Sequence, residues 1–357
     1  TPWSRRAARS RTPRGLMPVY ILGISALYHD AAAVLLCDGK IVGAAQEERF
    51  SRIKADASLP RRAARWCLEQ AGISVADVNF LVFYEKPLRK FERIVTTSVA
   101  TFPYSWSAFP RQMRAWLGDK LWLRGKLCTA FGIPSDRVLF SEHHLSHAAS
   151  AFFASPHTEA AVLAVDGVGE WATTSLWRGS GETLEPIAEV RFPHSLGLLY
   201  STLTAHLGFA VNDGEYKVMG MAAYGRPRFR AQVDELLKLD TQGGFSLDLD
   251  YFSFHYHPER SGTAKLETLL GKPRFPGTDF TPEAAPGSAD AAAVAESQRF
   301  ADIAASAQAQ IEDAMLHLVR HAKAVVGTDT LCMAGGVALN SVANRRIAAE
   351  GPFANLW

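Results

Sequence analysis

Cysteine is scarce in this chain. Cys37, Cys67, Cys128 and Cys332 are scattered over 357 residues with no Cys-x-x-Cys pair, which excludes a disulfide-stapled secreted scaffold and suits ordinary thiols in a reducing compartment. Long apolar runs are also missing. None approaches the ~18–20 residues that a membrane span needs, so no membrane partner is expected and the inferred setting is the cytoplasm. Nor is there an excess of one charge. Lys and Arg number 38 against 36 Asp and Glu, a net +2. Five arginines (Arg5, Arg6, Arg9, Arg11 and Arg14) fall within the first sixteen residues, with no acid among them. The remainder is slightly acidic, which argues against a nucleic-acid partner. Residues 1–16 have no apolar stretch and are no secretory signal; they read as a disordered or non-native leader, with the fold starting at Met17.

What is present is material for a core, since 48% of the residues are hydrophobic and the length suits two lobes. Residues 19–25 are apolar and β-branched, a polar loop follows at 26–30, and a second apolar run covers 31–37. Asp38-Gly39 is a hairpin turn into a third strand over 40–46. The same order recurs from residue 160: AAVLAV, the loop Asp166-Gly167-Val168-Gly169-Glu170, ATTSLWR, the turn GSGE, and LEPIAEVRF. Two meanders, each followed by helical segments, predict a duplicated α/β fold with two lobes around a cleft. Helices are expected over Pro60–Ala71, with Trp66 and Leu68 buried, and over Ala291–Val326, with Ile303, Ile311, Met315 and Leu318 on its apolar face. The stretch 240–290 reads as an irregular insertion. Lobe boundaries are placed at 17–156 and 157–357. An apolar run opening at Phe353–Trp357 carries the expectation that the chain is part of a longer polypeptide.

The residues suited to chemistry lie in a few segments. In Glu142-His143-His144-Leu145-Ser146-His147, His143 and His147 are one helical turn apart and leave the same face, a spacing for two ligands of one divalent metal. Taken alone, the pair fits core or surface histidines equally well. His144 points elsewhere and reads as structural. Asp166, at a strand end, would complete a set of two histidines and one carboxylate, or simply cap a turn. Gly167 and Gly169 leave backbone N–H groups open to a phosphate. The dinucleotide fingerprint is rejected there, because a strand rather than a helix follows. Gly335-Gly336, between a strand and a helix, offers a second anion cradle, with Asn340 in the first helical turn placed to reach a ribose or phosphate; a plain tight turn is the other reading. Lys217 either neutralises phosphate or is solvated. His29 and Asp30, in the first meander loop, are candidates for a general base or a polar loop.

Taken together, ILGISALYHDAAAVLLCDGKIVGAAQEERFSRIKAD (21–56), SEHHLSHAASAFFASP (141–156), AVDGVGEWATTSLW (164–177), NDGEYKVMGMAAYG (212–225) and MAGGVALNSVANRRI (333–347) resemble the O-carbamoyltransferase family of nodulation-factor and antibiotic carbamoyltransferases. The family's N-terminal domain looks like the universal tRNA threonylcarbamoyl transferase, within the actin, sugar-kinase and heat-shock-chaperone ATPase superfamily. The resemblance implies that a separate domain makes carbamoyladenylate from carbamoyl phosphate and ATP. The N-terminal domain then passes the carbamoyl group to an acceptor hydroxyl. It maps metal ligands onto His143, His147 and Asp166, with Fe(2+) the expected ion. A further Asp ligand and the adenylate-forming domain would lie beyond residue 357, or the domain would act in trans.

Two other classes stay open at this point: an ATP-dependent kinase of the same superfamily, which would need no metal-bound histidines, and a non-catalytic metal- or nucleotide-binding fragment. The acceptor, a sugar or another natural product, has no signature in the sequence. Tyr84, Phe102, Tyr104, Trp106, Tyr251 and Phe254 could stack on a sugar face or belong to a core.

Overall fold

The computed structural model describes residues 17–118, 120–257, 259–283 and 290–357; the expected leader, 1–16, lies outside the described residues. By packing, the chain forms two units. One comprises residues 17–84 with 122–140, and the other residues 85–121 with 141–357.

The first unit holds a five-stranded sheet of β1 (Tyr20–Ser25), β2 (Ala32–Cys37), β3 (Lys40–Gln46), β4 (Phe80–Phe83) and β5 (Val138–Phe140). Its order is β3-β2-β1-β4-β5. The meander β1–β3 is antiparallel, and β4 and β5 add in parallel beside β1. Asp38 and Gly39 both have positive φ, +49° and +76°, which produces the tight two-residue hairpin. Leu22, Ile24, Leu35, Leu81 and Phe83 form the core with Ala63, Ala64 and Cys67 of the helix Arg61–Ala71. Trp66 and Leu68, expected inside, are only half-buried. The small side chains take the packing face because they let the helix lie close to the sheet.

The second unit repeats the pattern with β6 (Glu159–Val165), β7 (Ala172–Ser180), β8 (Thr183–Arg191), two short strands β9 (Leu237–Leu239) and β10 (Phe245–Leu247) that pair with each other, β11 (Thr330–Ala334) and β12 (Asn355–Leu356). The main sheet runs β8-β7-β6-β11-β12 from one edge. Again there is an antiparallel three-strand meander, with two parallel strands added beside its first member. Equal order and equal polarity in both sheets establish the duplication that the meanders predict and the superfamily resemblance implies.

Covering both faces of this second sheet explains why β6 is an unbroken apolar run rather than an alternating one. Ala161, Leu163 and Val165 face the cluster built by the 36-residue helix Ala291–Val326, whose Ile303, Ile311, Met315 and Leu318 are buried. Ala160 and Val162 face the helix His143–Phe152 through Ala148, Ala151 and Phe152. The stretch 240–290 is only partly irregular: besides β10 it contains the helix Ala264–Leu270 and buried Tyr251 and Phe252. Among the described residues, no helix is long and apolar enough to cross a membrane.

Candidate metal centre

The histidine helix begins at His143, and its first backbone amide is capped from a distance. Glu142 precedes it in extended conformation without a side-chain cap. The carboxylate of Glu170 instead accepts the His143 N–H at 3.0 and 3.1 Å. One turn of helix then carries the His143 and His147 imidazoles to the same face. Strand β6 ends at Val165, so Asp166 emerges at the strand tip, its own N–H donated to Thr173.

These elements bring three side chains together. His143 Nε2 lies 3.1 Å from His147 Nε2 and 3.0 Å from Asp166 Oδ2, and His147 Nε2 is 3.5 Å from the same oxygen. A cation bound ~2.0–2.2 Å from each of three ligands requires them ~3.0–3.5 Å apart, so the donor set fits one divalent ion without rearrangement. Among the described residues this is the group of His, Cys, Asp and Glu side chains close enough to share a metal. The centre opens on one side: the side chain of His143 is 12% exposed, that of His147 30%.

Electrostatics follow from the burial. Desolvation opposes an imidazolium at His143, but the carboxylates of Asp166 and Glu85 overcome it and raise its pKa to about 9. Burial likewise works against the Asp166 carboxylate, yet His143 and His147 hold it well below the usual carboxylate range. His144 behaves in the opposite way. Buried, and beside charged His143, it is pushed down to about 3 and stays neutral. Its Nδ1 meets Ser175 Oγ at 2.8 Å, the hydroxyl that also receives Trp177 Nε1–H, which matches its structural reading.

The glycine segments close around Asp166. Its second oxygen, Oδ1, accepts the Gly336 N–H at 2.9 Å. Gly335 has φ +96°, and a Cβ there would lie 2.3 Å from Val165 O, so the turn must be glycine. The Gly169 N–H is donated to Ala172 O. Two of the four amides expected to face a phosphate, those of Gly169 and Gly336, are therefore engaged within the protein. Ser195 buttresses the loop by donating to Gly167 O at 2.6 Å.

Other expected site residues are placed elsewhere. Asn340 is not in the first helical turn but is the N-cap of the helix Ser341–Glu350, because a 3-10 turn at Val337–Leu339 intervenes. Its buried carboxamide accepts the Ala343 N–H and pairs doubly with Gln308, each bond 3.0 Å. Lys217 is exposed in the helix Glu215–Ala222, its ammonium 5.8 Å from the Tyr216 ring centroid. His29 and Asp30 belong to the first unit, in the β1–β2 loop, hydrogen-bonded to each other at 2.8 Å and both exposed on their side chains. Phe102, Tyr104 and Trp106 are exposed, whereas Tyr251 is buried.

Sequence reasoning missed Glu85 and the capping role of Glu170. Glu85 is a lone carboxylate outside any spacing pattern, Glu170 is read only as the end of the glycine loop, and the relation of both to the histidines exists only in the fold.

Among curated proteins, the uncharacterized protein sll1178 of Synechocystis is 48% identical over 347 residues, covering 95% of this chain and 54% of that protein. The nodulation protein NolNO of Sinorhizobium fredii is 34% identical over 335 residues, covering 92% of this chain and 43% of that protein. The chain thus spans about half the length of the curated relatives it matches. Among solved structures, the (R)-2-hydroxyglutaryl-CoA dehydratase component A of Acidaminococcus fermentans aligns over 95% of this chain and 91% of that one, with TM-score 0.45 and 14% identity. Residues 20–357 match the family described as carbamoyltransferase N-terminus, and the chain belongs to that family.

Proposed function

We propose that this chain carries the transfer step of an O-carbamoyltransferase, moving a carbamoyl group from carbamoyladenylate to a hydroxyl of a small-molecule acceptor such as a sugar. In that step the acceptor oxygen bonds to the carbamoyl carbon, the bond from that carbon to the adenylate phosphate oxygen breaks, AMP leaves, and the hydroxyl proton passes to a base. Carbamoyl phosphate and ATP would supply the adenylate through an adenylate-forming domain in cis or in trans. His143, His147 and Asp166 would hold the metal, with Fe(2+) as the expected ion; bound there, it supplies a Lewis acid for a carbonyl or phosphoryl oxygen.

The protein's own groups have defined tasks in this reading. Asp166, held ionised, keeps one oxygen toward the histidines and uses the other to fix the Gly336 turn. Glu170 sets the register of the histidine helix. No covalent nucleophile is needed, since the adenylate is already an activated leaving group.

The observation that carries the proposal is the convergence of two imidazole nitrogens and a carboxylate oxygen within 3.0–3.5 Å. Metal analysis by plasma mass spectrometry tests it. About one iron per chain is expected for the wild type and near none for His147→Ala or Asp166→Asn, with carbamoyl transfer lost in parallel. Unchanged metal and transfer in both ligand variants would refute the assignment.

A further inference from the structure

The segment that opens the second unit supplies a carboxylate behind the first histidine. His143 presents Nε2 to His147 and Asp166, so its Nδ1 faces the other way, where Glu85 Oε2 lies 3.8 Å distant. Both side chains are 12% exposed. Glu85 is itself clamped, receiving Lys90 Nζ on both oxygens at 2.8 and 3.0 Å.

The two partners are held in register by one shared anchor. Glu170 accepts the backbone N–H of Lys86, the residue after Glu85, at 2.7 Å, and the same carboxylate accepts the backbone N–H of His143. Two further contacts tie the segments together: Lys86 Nζ and Arg89 Nη1 reach Glu142, the residue before His143, at 3.0 and 2.8 Å. The Glu170 cap and the Glu142 ion pairs thus tie the residues next to Glu85 to those next to His143, while Lys90 clamps Glu85 itself.

We infer that Glu85 is a positioning residue for the centre: its carboxylate faces the His143 Nδ1 from 3.8 Å and closes on that N–H when Nε2 serves as a ligand, which fixes the tautomer and ring orientation, while Lys90 holds Glu85 in place. Histidines that ligate metals commonly donate their second ring N–H to a carboxylate, and such partners tune affinity without touching the ion. The inference rests on the reading of His143, His147 and Asp166 as metal ligands.

Co(2+) titration of the intact protein, followed by its visible absorption, separates the two claims. With Glu85→Gln, stoichiometry stays near one, affinity falls roughly ten- to hundredfold, and the absorption bands shift as the His143 ring reorients. Lys90→Gln, which leaves the carboxylate but removes its clamp, gives a smaller loss in the same direction and guards against misfolding of the first variant. Full-strength binding with an unaltered spectrum in both variants, while His147→Ala abolishes binding, overturns the positioning role and leaves the ligand assignment standing. Binding that His147→Ala does not affect overturns both.

Discussion

At the scale of single residues, His143 holds a proton that a metal bound at this site would have to displace. In the metal-free protein the His143 pKa is about 9, above the ~6.5 of an unfolded chain. The stability this contributes is fully present below pH ~6.5 and is lost as pH rises through about 9. Melting temperatures of chelator-treated protein should therefore fall between those limits. Ligation has the opposite dependence, because an imidazole nitrogen must be deprotonated to bind. Apparent affinity for Co(2+) should climb by roughly tenfold per pH unit up to about pH 9 and then level off. Asp166, ionised throughout, adds no proton to this exchange. A flat affinity between about pH 7 and 9 would mean that His143 carries no such proton.

At the scale of elements, the loop after β6 is shaped to fit the histidine helix. A Cβ at Gly169 would lie 2.9 Å from His144 Cδ2 and 3.0 Å from His143 Cβ, whereas one at Gly167 would meet nothing within 4 Å. Gly169→Ala should displace the helix from the loop, costing about 1–3 kcal/mol of stability and weakening metal binding. Gly167→Ala should stay within about 0.5 kcal/mol of wild type. Chemical denaturation of the two variants, paired with metal titration, checks the contrast; equal behaviour would mean that the loop does not bear on the helix. This level also shows what a sequence can reveal of a site. His143 and His147 are legible because their relation is a single helical turn, and Asp166 because it ends a recognisable strand. Glu170 was visible only as part of a glycine loop, since its partners, the amides of His143 and Lys86, lie 27 and 84 residues away. Asn340 sits differently for a physical reason: the three residues of tighter helix at Val337–Leu339 delay the start of the true helix to Ser341, so Asn340 becomes its N-cap.

At the scale of the whole molecule, each unit has its own core, and His143, His147, Asp166 and their described partners belong to the second. Leu35 is fully buried in the first unit's cluster. Leu35→Ala should cost about 2–5 kcal/mol, lowering the melting temperature while leaving about one metal bound per folded chain. A parallel loss of metal stoichiometry under folding conditions would contradict that independence. The meanders made the duplication legible, but the parallel strands beside them were harder to read. Strands as short as β4 and β5, with four and three residues, carry no periodicity to recognise, and the long helix Ala291–Val326 separates β11 from the strand it joins.

That separation has a consequence in time. Asp166 and Gly336, joined at the tips of neighbouring parallel strands, are 170 residues apart in the chain. At about 5–20 residues per second of synthesis, β6 would wait on the order of ten to thirty seconds for the strand that covers one of its edges. During this interval the histidine helix, β7 and β8 already exist, but an apolar strand has an open row of N–H and C=O groups. His143, His147 and Asp166 are thus made early and their support late, and the edge of β6 stays open to mispairing until β11 is made.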